Sequence, residues 1–97
     1  MTVKIFKMIN GEVIMADIVS EDFGQGHYVV NEPASVMLQE RDGGMGVGIA
    51  PYMPYAEGRV NIRLNAIAAE ADADQKLANE YNRLFGSGIV IANVIPK

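Results

Sequence analysis

The dipeptide Asn10-Gly11 stands between two apolar runs in the stretch FKMINGEVIMADIVSED, Phe6 to Asp22. A type I′ turn needs positive φ at both central positions, which Asn and Gly tolerate, so the pair predicts a β-hairpin. Val3 to Ile9 forms its first arm and Glu12 to Ser20 its longer second arm. The second arm constrains everything else. Ile14, Ala16 and Ile18 share one face, Val13, Met15 and Val19 share the other, and only Asp17 interrupts. A strand apolar on both faces is covered on both, or bends so that each half serves a different sheet. Strong bending is typical of small barrels.

The rest of the chain adds strands and one helix. His27 to Asn31 predicts a short strand, Glu32-Pro33 an interruption, and Ala34 to Glu40 its resumption. Arg41 to Gly44 is a turn, Gly46 to Ala50 a short strand, and Pro51-Tyr-Met-Pro-Tyr55 an extended loop. Arg59 to Ile67 has the cleanest alternation: Val60, Ile62 and Leu64 one way, Arg59, Asn61, Arg63 and Asn65 the other. The period then changes. Asp72 reads as a helix N-cap, with Ala73, Leu77, Tyr81 and Leu84 at helical spacing and Gly86 and Gly88 ending the helix. Ile89 to Ile95 reads as a last strand, apolar on nearly every residue and stopped by Pro96. Such a strand is buried or lies in an interface.

Ninety-seven residues, 49% of them hydrophobic, suit one domain over residues 1–97 with a single core. The net charge of −4 removes any global attraction to nucleic-acid phosphates, so binding them would need a local basic row. No apolar run approaches the roughly 18 residues of a membrane span. The first residues lack the regions of a signal peptide. A cytoplasmic protein with no membrane partner is expected. With one His and no Cys, neither a catalytic triad nor a zinc set can be built, and the carboxylates show no acid/base spacing. The expectation is a protein that is not an enzyme and has no cofactor and no metal.

FKMINGEVIMADIVSED resembles the first motif of the Sm-like (LSm) proteins: an apolar strand, a glycine turn and a bent second strand closing on an acidic residue. YVVNEPASVMLQE is similar to that family's third strand, and GIVIANVIPK to its last strand, which carries subunit pairing. The resemblance is to the divergent, cyanophage-like branch, which would place the protein in the cytoplasm of a host cell. It implies a mainly β fold: a strongly bent five-stranded antiparallel Sm-like (SH3-like) barrel, here with one helix inserted before the last strand. It also implies a homo-oligomeric ring of about five to seven copies, a pentamer first, built by edge-strand pairing. Ile89, Val90, Ile91 and Val94 are then the expected oligomer interface. The family's short basic-glycine turn between its last two strands is expected to be replaced by Ala68 to Gly88.

In that family the RNA contacts lie in this turn and in the loop before the third strand. The resemblance therefore nominates Asp22, His27 and Tyr28, the last two as a stacking platform for single-stranded RNA. The plain alternative is a glycine-rich hairpin loop with a solvent-exposed His. Arg59, Asn61 and Arg63 share a strand face, and two guanidiniums there can hold phosphates or a partner's carboxylates. The alternative is a solvated face paired with Glu57 or Glu40. Tyr52 and Tyr55 offer a contact surface for another protein, or else rings packed over the barrel mouth. GGMGVG precedes a strand rather than a helix and reads as a turn, not a phosphate loop. Asp72 and Asp74 read as helix-start acids rather than a metal pair. Two functions are carried forward: an Sm-like ring binding single-stranded RNA, and a non-enzymatic structural or protein-interaction ring without RNA.

Overall fold

The computed structural model describes residues 2–85. β1 (Thr2–Met8) and β2 (Val13–Asp22) are the two arms of the first hairpin. The turn is not type I′: Gly11 has φ +95° but Asn10 is not in the positive-φ region, the Gly11 N–H donates to the Met8 carbonyl at 2.9 Å, and the Asn10 side-chain oxygen accepts the Glu12 amide N–H at 3.0 Å. β3 (His27–Arg41) and β4 (Gly44–Pro51) form a second hairpin. β5 (Val60–Arg63), a 3₁₀ turn (Leu64–Ala66) and β6 (Ile67–Asp72) follow, then α1 (Gln75–Phe85). All pairings are antiparallel.

The order across the sheet is β4-β3-β2-β1-β6, with β5 also on β3. β5 pairs with His27 to Val30 and β4 with Ala34 to Arg41, so the two lie end to end on one edge of β3. The described residues thus hold a mainly β fold of six strands and one helix, rather than five strands. The extra strand arises because the 3₁₀ turn Leu64–Ala66 breaks the run expected as one strand from Arg59 to Ile67, and β6 begins after it.

β3 bends where the two partners meet. Pro33 has no N–H to give the ladder, and Glu32 takes φ +47°, a region costly for a side-chain-bearing residue. Met15 pairs with Ala34 and Asp17 with Asn31, so Glu32 and Pro33 oppose Ala16 alone. A second irregularity, between Ile18 and Ser20, bends β2 further.

The bends give the two-faced β2 its two covers. On one side Phe6, Ile14, Ala16, Tyr28, Val30, Val60 and Ile62 make the main core. On the other, Val3, Met15 and Ala34 are covered by α1 through Tyr81, with Leu77 and Phe85 beside it. Each fully buried apolar side chain contributes about 1.5–3 kcal/mol, so both layers matter to a domain this small.

The helix begins later than its sequence suggests. Asp74, not Asp72, is the cap: its carboxylate accepts the Leu77 N–H at 2.9 Å. Asp72 instead closes β6, opposite Lys4 of β1, whose ammonium lies 3.3 Å from its carboxylate. The segment expected to replace a turn therefore contains most of a strand. Ala73, Leu77 and Tyr81 face the sheet as expected, whereas Leu84 is exposed and Phe85 packs in its place. Gly86 and Gly88 and the strand expected at Ile89 to Ile95 lie outside the described residues.

Candidate nucleic-acid interface

The loop before β3 is held by its own first residue. The Asp22 carboxylate and carbonyl both lie 3.1 Å from the Gln25 N–H, and Gly26 turns the chain at φ +79°. The next contact crosses to a different part of the sequence. The Leu64 N–H donates to the Gly26 carbonyl at 2.9 Å. The loop at residues 23–26 and the turn Leu64–Ala66 thus form one corner of the molecule.

Strand register then sets a row across this corner. Asp22 of β2 is opposite His27 of β3, and His27 is opposite Arg63 of β5. Neighbouring strands are about 4.8 Å apart, so the three residues hold adjacent positions across the corner. Asn61 is two residues back, opposite Val29, and Arg59 precedes β5. Arg59, Asn61 and Arg63 are exposed while Val60 and Ile62 are buried, as the alternation demands. Among the described residues neither arginine has an ion-pair partner, so pairing with Glu57 or Glu40 does not occur. His27 is half-buried, and its Nδ1 is a buried polar atom without a hydrogen-bond partner. Asp22 is exposed, and part of its hydrogen-bonding capacity goes to shaping the loop.

Tyr28 is not a stacking platform. It is 2% exposed, with ring centroids 5.3 Å from Phe6 and 5.6 Å from Phe23. Its place opposite Ile62, on the inward face of β3, takes its ring out of solvent. Its hydroxyl donates to a Glu70 carboxylate oxygen at 2.5 Å. Burial, then the hydrogen bond to and charge of Glu70, push the phenol up to about 12. Phe23 is the exposed aromatic of this loop, and Asn65 is exposed in the 3₁₀ turn. Sequence reasoning passed over both. Phe23 was legible as an apolar residue amid glycines, and Asn65 as the outward residue next in the Arg59 row.

The two tyrosines of the proline-rich loop separate. Tyr52 packs against the main core, and its hydroxyl donates to Glu12 at 3.0 Å. Burial, reinforced by Glu12, raises its pKa. Its N–H donates to the Pro33 carbonyl at 2.8 Å, tying the loop to the bend in β3. Tyr52 is therefore a packing residue, whereas Tyr55 is 97% exposed. Ile89, Val90, Ile91 and Val94 lie outside the described residues.

Among the described residues no group of His, Asp and Glu is arranged to hold a metal ion, and no helix is long and apolar enough to cross a membrane. No protein-family model and no curated protein matches the chain.

Proposed function

We propose that this chain is an Sm-like protein that assembles as a ring and binds single-stranded RNA at the Asp22, His27 and Arg63 corner. The observation that carries this reading is the union of two distant loops. The family resemblance expects RNA contacts in the loop before the third strand and in the turn between the last two strands. Here Gly26 and Leu64 share a hydrogen bond, and His27 pairs with Arg63. The resemblance expects Ala68 to Gly88 in place of that turn; the turn that meets the loop here is Leu64–Ala66, between β5 and β6.

A barrel-like curl of the sheet supports the same reading. β5 pairs with β3 on one side and β6 with β1 on the other, yet only three residues separate β5 from β6. The Ile9 N–H also donates to the Ala66 carbonyl at 2.9 Å. On this reading the sheet curls across that join, though its strand order stays open from β4 to β6, and Phe6, Tyr28 and Ile62 line the inside.

At the corner, a base can lie against the imidazole edge of His27 with the Arg63 guanidinium over or beside it, while Arg59 meets a phosphate. Asn61 and Asn65 supply neutral donors and acceptors of the kind that read base edges. A ring repeats the arginines around an axis, so a local basic crown forms despite the net charge of −4.

The second reading, a protein-interaction ring without RNA, is favoured by the acidic balance and by Tyr55 standing free. Binding of short U-rich and A-rich RNA at two salt concentrations separates the two. Salt-sensitive binding that disappears in Arg63→Ala supports RNA. Absence of binding at low salt leaves the interaction ring.

A further inference from the structure

The two strands that share one edge of β3 leave a gap between them. β5 accompanies His27 to Val30 and β4 accompanies Ala34 to Arg41, so among the described residues no strand lies beside Asn31, Glu32 and Pro33 on that edge. The loop at residues 52–59 crosses the gap without filling it. A cleft of about 370 Å³ remains between the loop and the bend of β3. Ligand sites run from roughly 300 to 1,000 Å³, so this one suits a small molecule or one long side chain.

Its lining has a definite chemical character. Pro33, Pro51, Met53 and Pro54 give apolar walls, and the three prolines bring no N–H. Asn31 and Glu32 give the polar part. The Asn31 side-chain amide donates to the Asp17 carboxylate at 3.4 Å, so a second negative charge lies behind it. No lysine or arginine lines the cleft. Such a site favours cationic donors and repels anions.

Glu32 is out of keeping with its own backbone. Its φ of +47° suits Gly or Asn and strains a glutamate. The bend uses only its main chain, through the carbonyl that accepts the Tyr81 hydroxyl at 2.8 Å. Its carboxylate is exposed and makes no hydrogen bond or ion pair among the described residues. A strained residue whose side chain does nothing for the fold points to a ligand for that side chain.

The rim indicates what kind of ligand. The Ala56 N–H donates to the Met53 carbonyl at 3.0 Å, closing a turn with Pro54 and Tyr55 at its tip. Pro54 lines the cleft, while Tyr55 beside it and Met53 are exposed. A free small molecule would leave this rim uncovered, whereas a chain inserting one side chain covers it. A guanidinium meets a carboxylate through two parallel hydrogen bonds and stacks on aromatic rings, and its aliphatic stem suits proline walls.

We infer that the cleft takes the side chain of an arginine presented by a partner protein, with Glu32 receiving the guanidinium and Tyr55 covering the adjoining backbone. The cleft lies within one copy, so the inference requires neither the ring nor RNA.

The test follows the methionine methyl signals of the full-length protein by NMR, with Met53→Leu to identify the one in the cleft wall. The peptide acetyl-Gly-Arg-Gly-amide should shift the Met53 signal and leave that of Met8, buried in the main core, in place. The same peptide with citrulline, neutral and similar in shape, should bind about tenfold or more weakly, as the loss of a charge-assisted pair implies. Glu32→Asn removes the charge but keeps a residue suited to positive φ. It should fold with an unchanged or higher urea midpoint and lose the shift. Tyr55→Ala should weaken the peptide and leave free butylguanidinium unaffected. An arginine peptide that does not move Met53, or moves it equally in Glu32→Asn, overturns the inference. Butylguanidinium binding as tightly as the peptide also overturns it, because the cleft then serves a free cation.

Discussion

The hydroxyl of Tyr81 donates to the carbonyl of Glu32, 2.8 Å away, across a break in the β2–β3 ladder. The same oxygen lies 3.0 Å from the Asn31 carbonyl and accepts the Asp17 N–H at 3.2 Å. The bend at Glu32 and Pro33 leaves these backbone groups without ladder partners, and buried unpaired groups are costly. One helix side chain thus completes the sheet at the point where it folds over. Burial raises the pKa of this phenol, partly offset by the bond from Asp17. Tyr81→Phe keeps the ring and removes the hydroxyl. It should lower unfolding stability by about 1–3 kcal/mol in urea titration. An unchanged midpoint would mean that water replaces the hydroxyl without loss.

Tyr28 should behave as a core residue rather than a binding residue. Tyr28→Ala opens a cavity between Phe6 and Phe23 and should cost about 3–5 kcal/mol, the range for large aromatic truncations. Tyr28→Phe keeps the packing and should leave RNA affinity within a factor of about two. A large drop in affinity in Tyr28→Phe, with the fold intact, would return the hydroxyl to the binding site.

Alkaline unfolding should reflect the buried phenols. A folded-state pKa raised to about 12 from 10.0 means that the native state of Tyr28 favours the neutral ring. That contribution is full below about pH 10 and disappears as the pH rises through about 12. Tyr81 and Tyr52 are raised in the same direction. Stability measured by urea titration should therefore fall across this window, and less steeply in Tyr28→Phe. Equal slopes in variant and wild type would show that Tyr28 does not contribute.

The helix cap gives a paired test of the helix start. Asp74→Ala removes the acceptor for the Leu77 N–H and should cost about 1 kcal/mol. Asp72→Ala removes only an exposed partner of Lys4 and should cost less. The reverse order of effects would place the cap at Asp72, as the sequence alone suggested.

Much of this was legible in the sequence, for a physical reason in each case. The two apolar faces of Val13 to Val19 required two covers, and the core and α1 supply them. The alternation expected from Arg59 to Ile67 holds through Arg63, because a strand with one wet face has only one workable register, and ends where the 3₁₀ turn Leu64–Ala66 begins. The sequence ends the strand at Ile67 and assigns Ala68 to Asp72 to the segment carrying the helix, because Ala and acids are poor strand formers. Pairing with β1 overrides that preference. The burial of Tyr28 was hidden because alternation distinguishes two faces without saying which is inside. The meeting of Gly26 with Leu64 joins residues far apart in the chain, and no local pattern encodes it.

The most direct measurement is the binding of a short single-stranded RNA to the full-length protein at two salt concentrations, with Arg63→Ala beside the wild type. The wild type should bind, more weakly at the higher salt. Arg63→Ala should bind more weakly still, with the log–log salt slope reduced by roughly 0.7 for each phosphate that the guanidinium no longer neutralises. Wild-type protein that binds neither U-rich nor A-rich RNA at low salt would contradict the account.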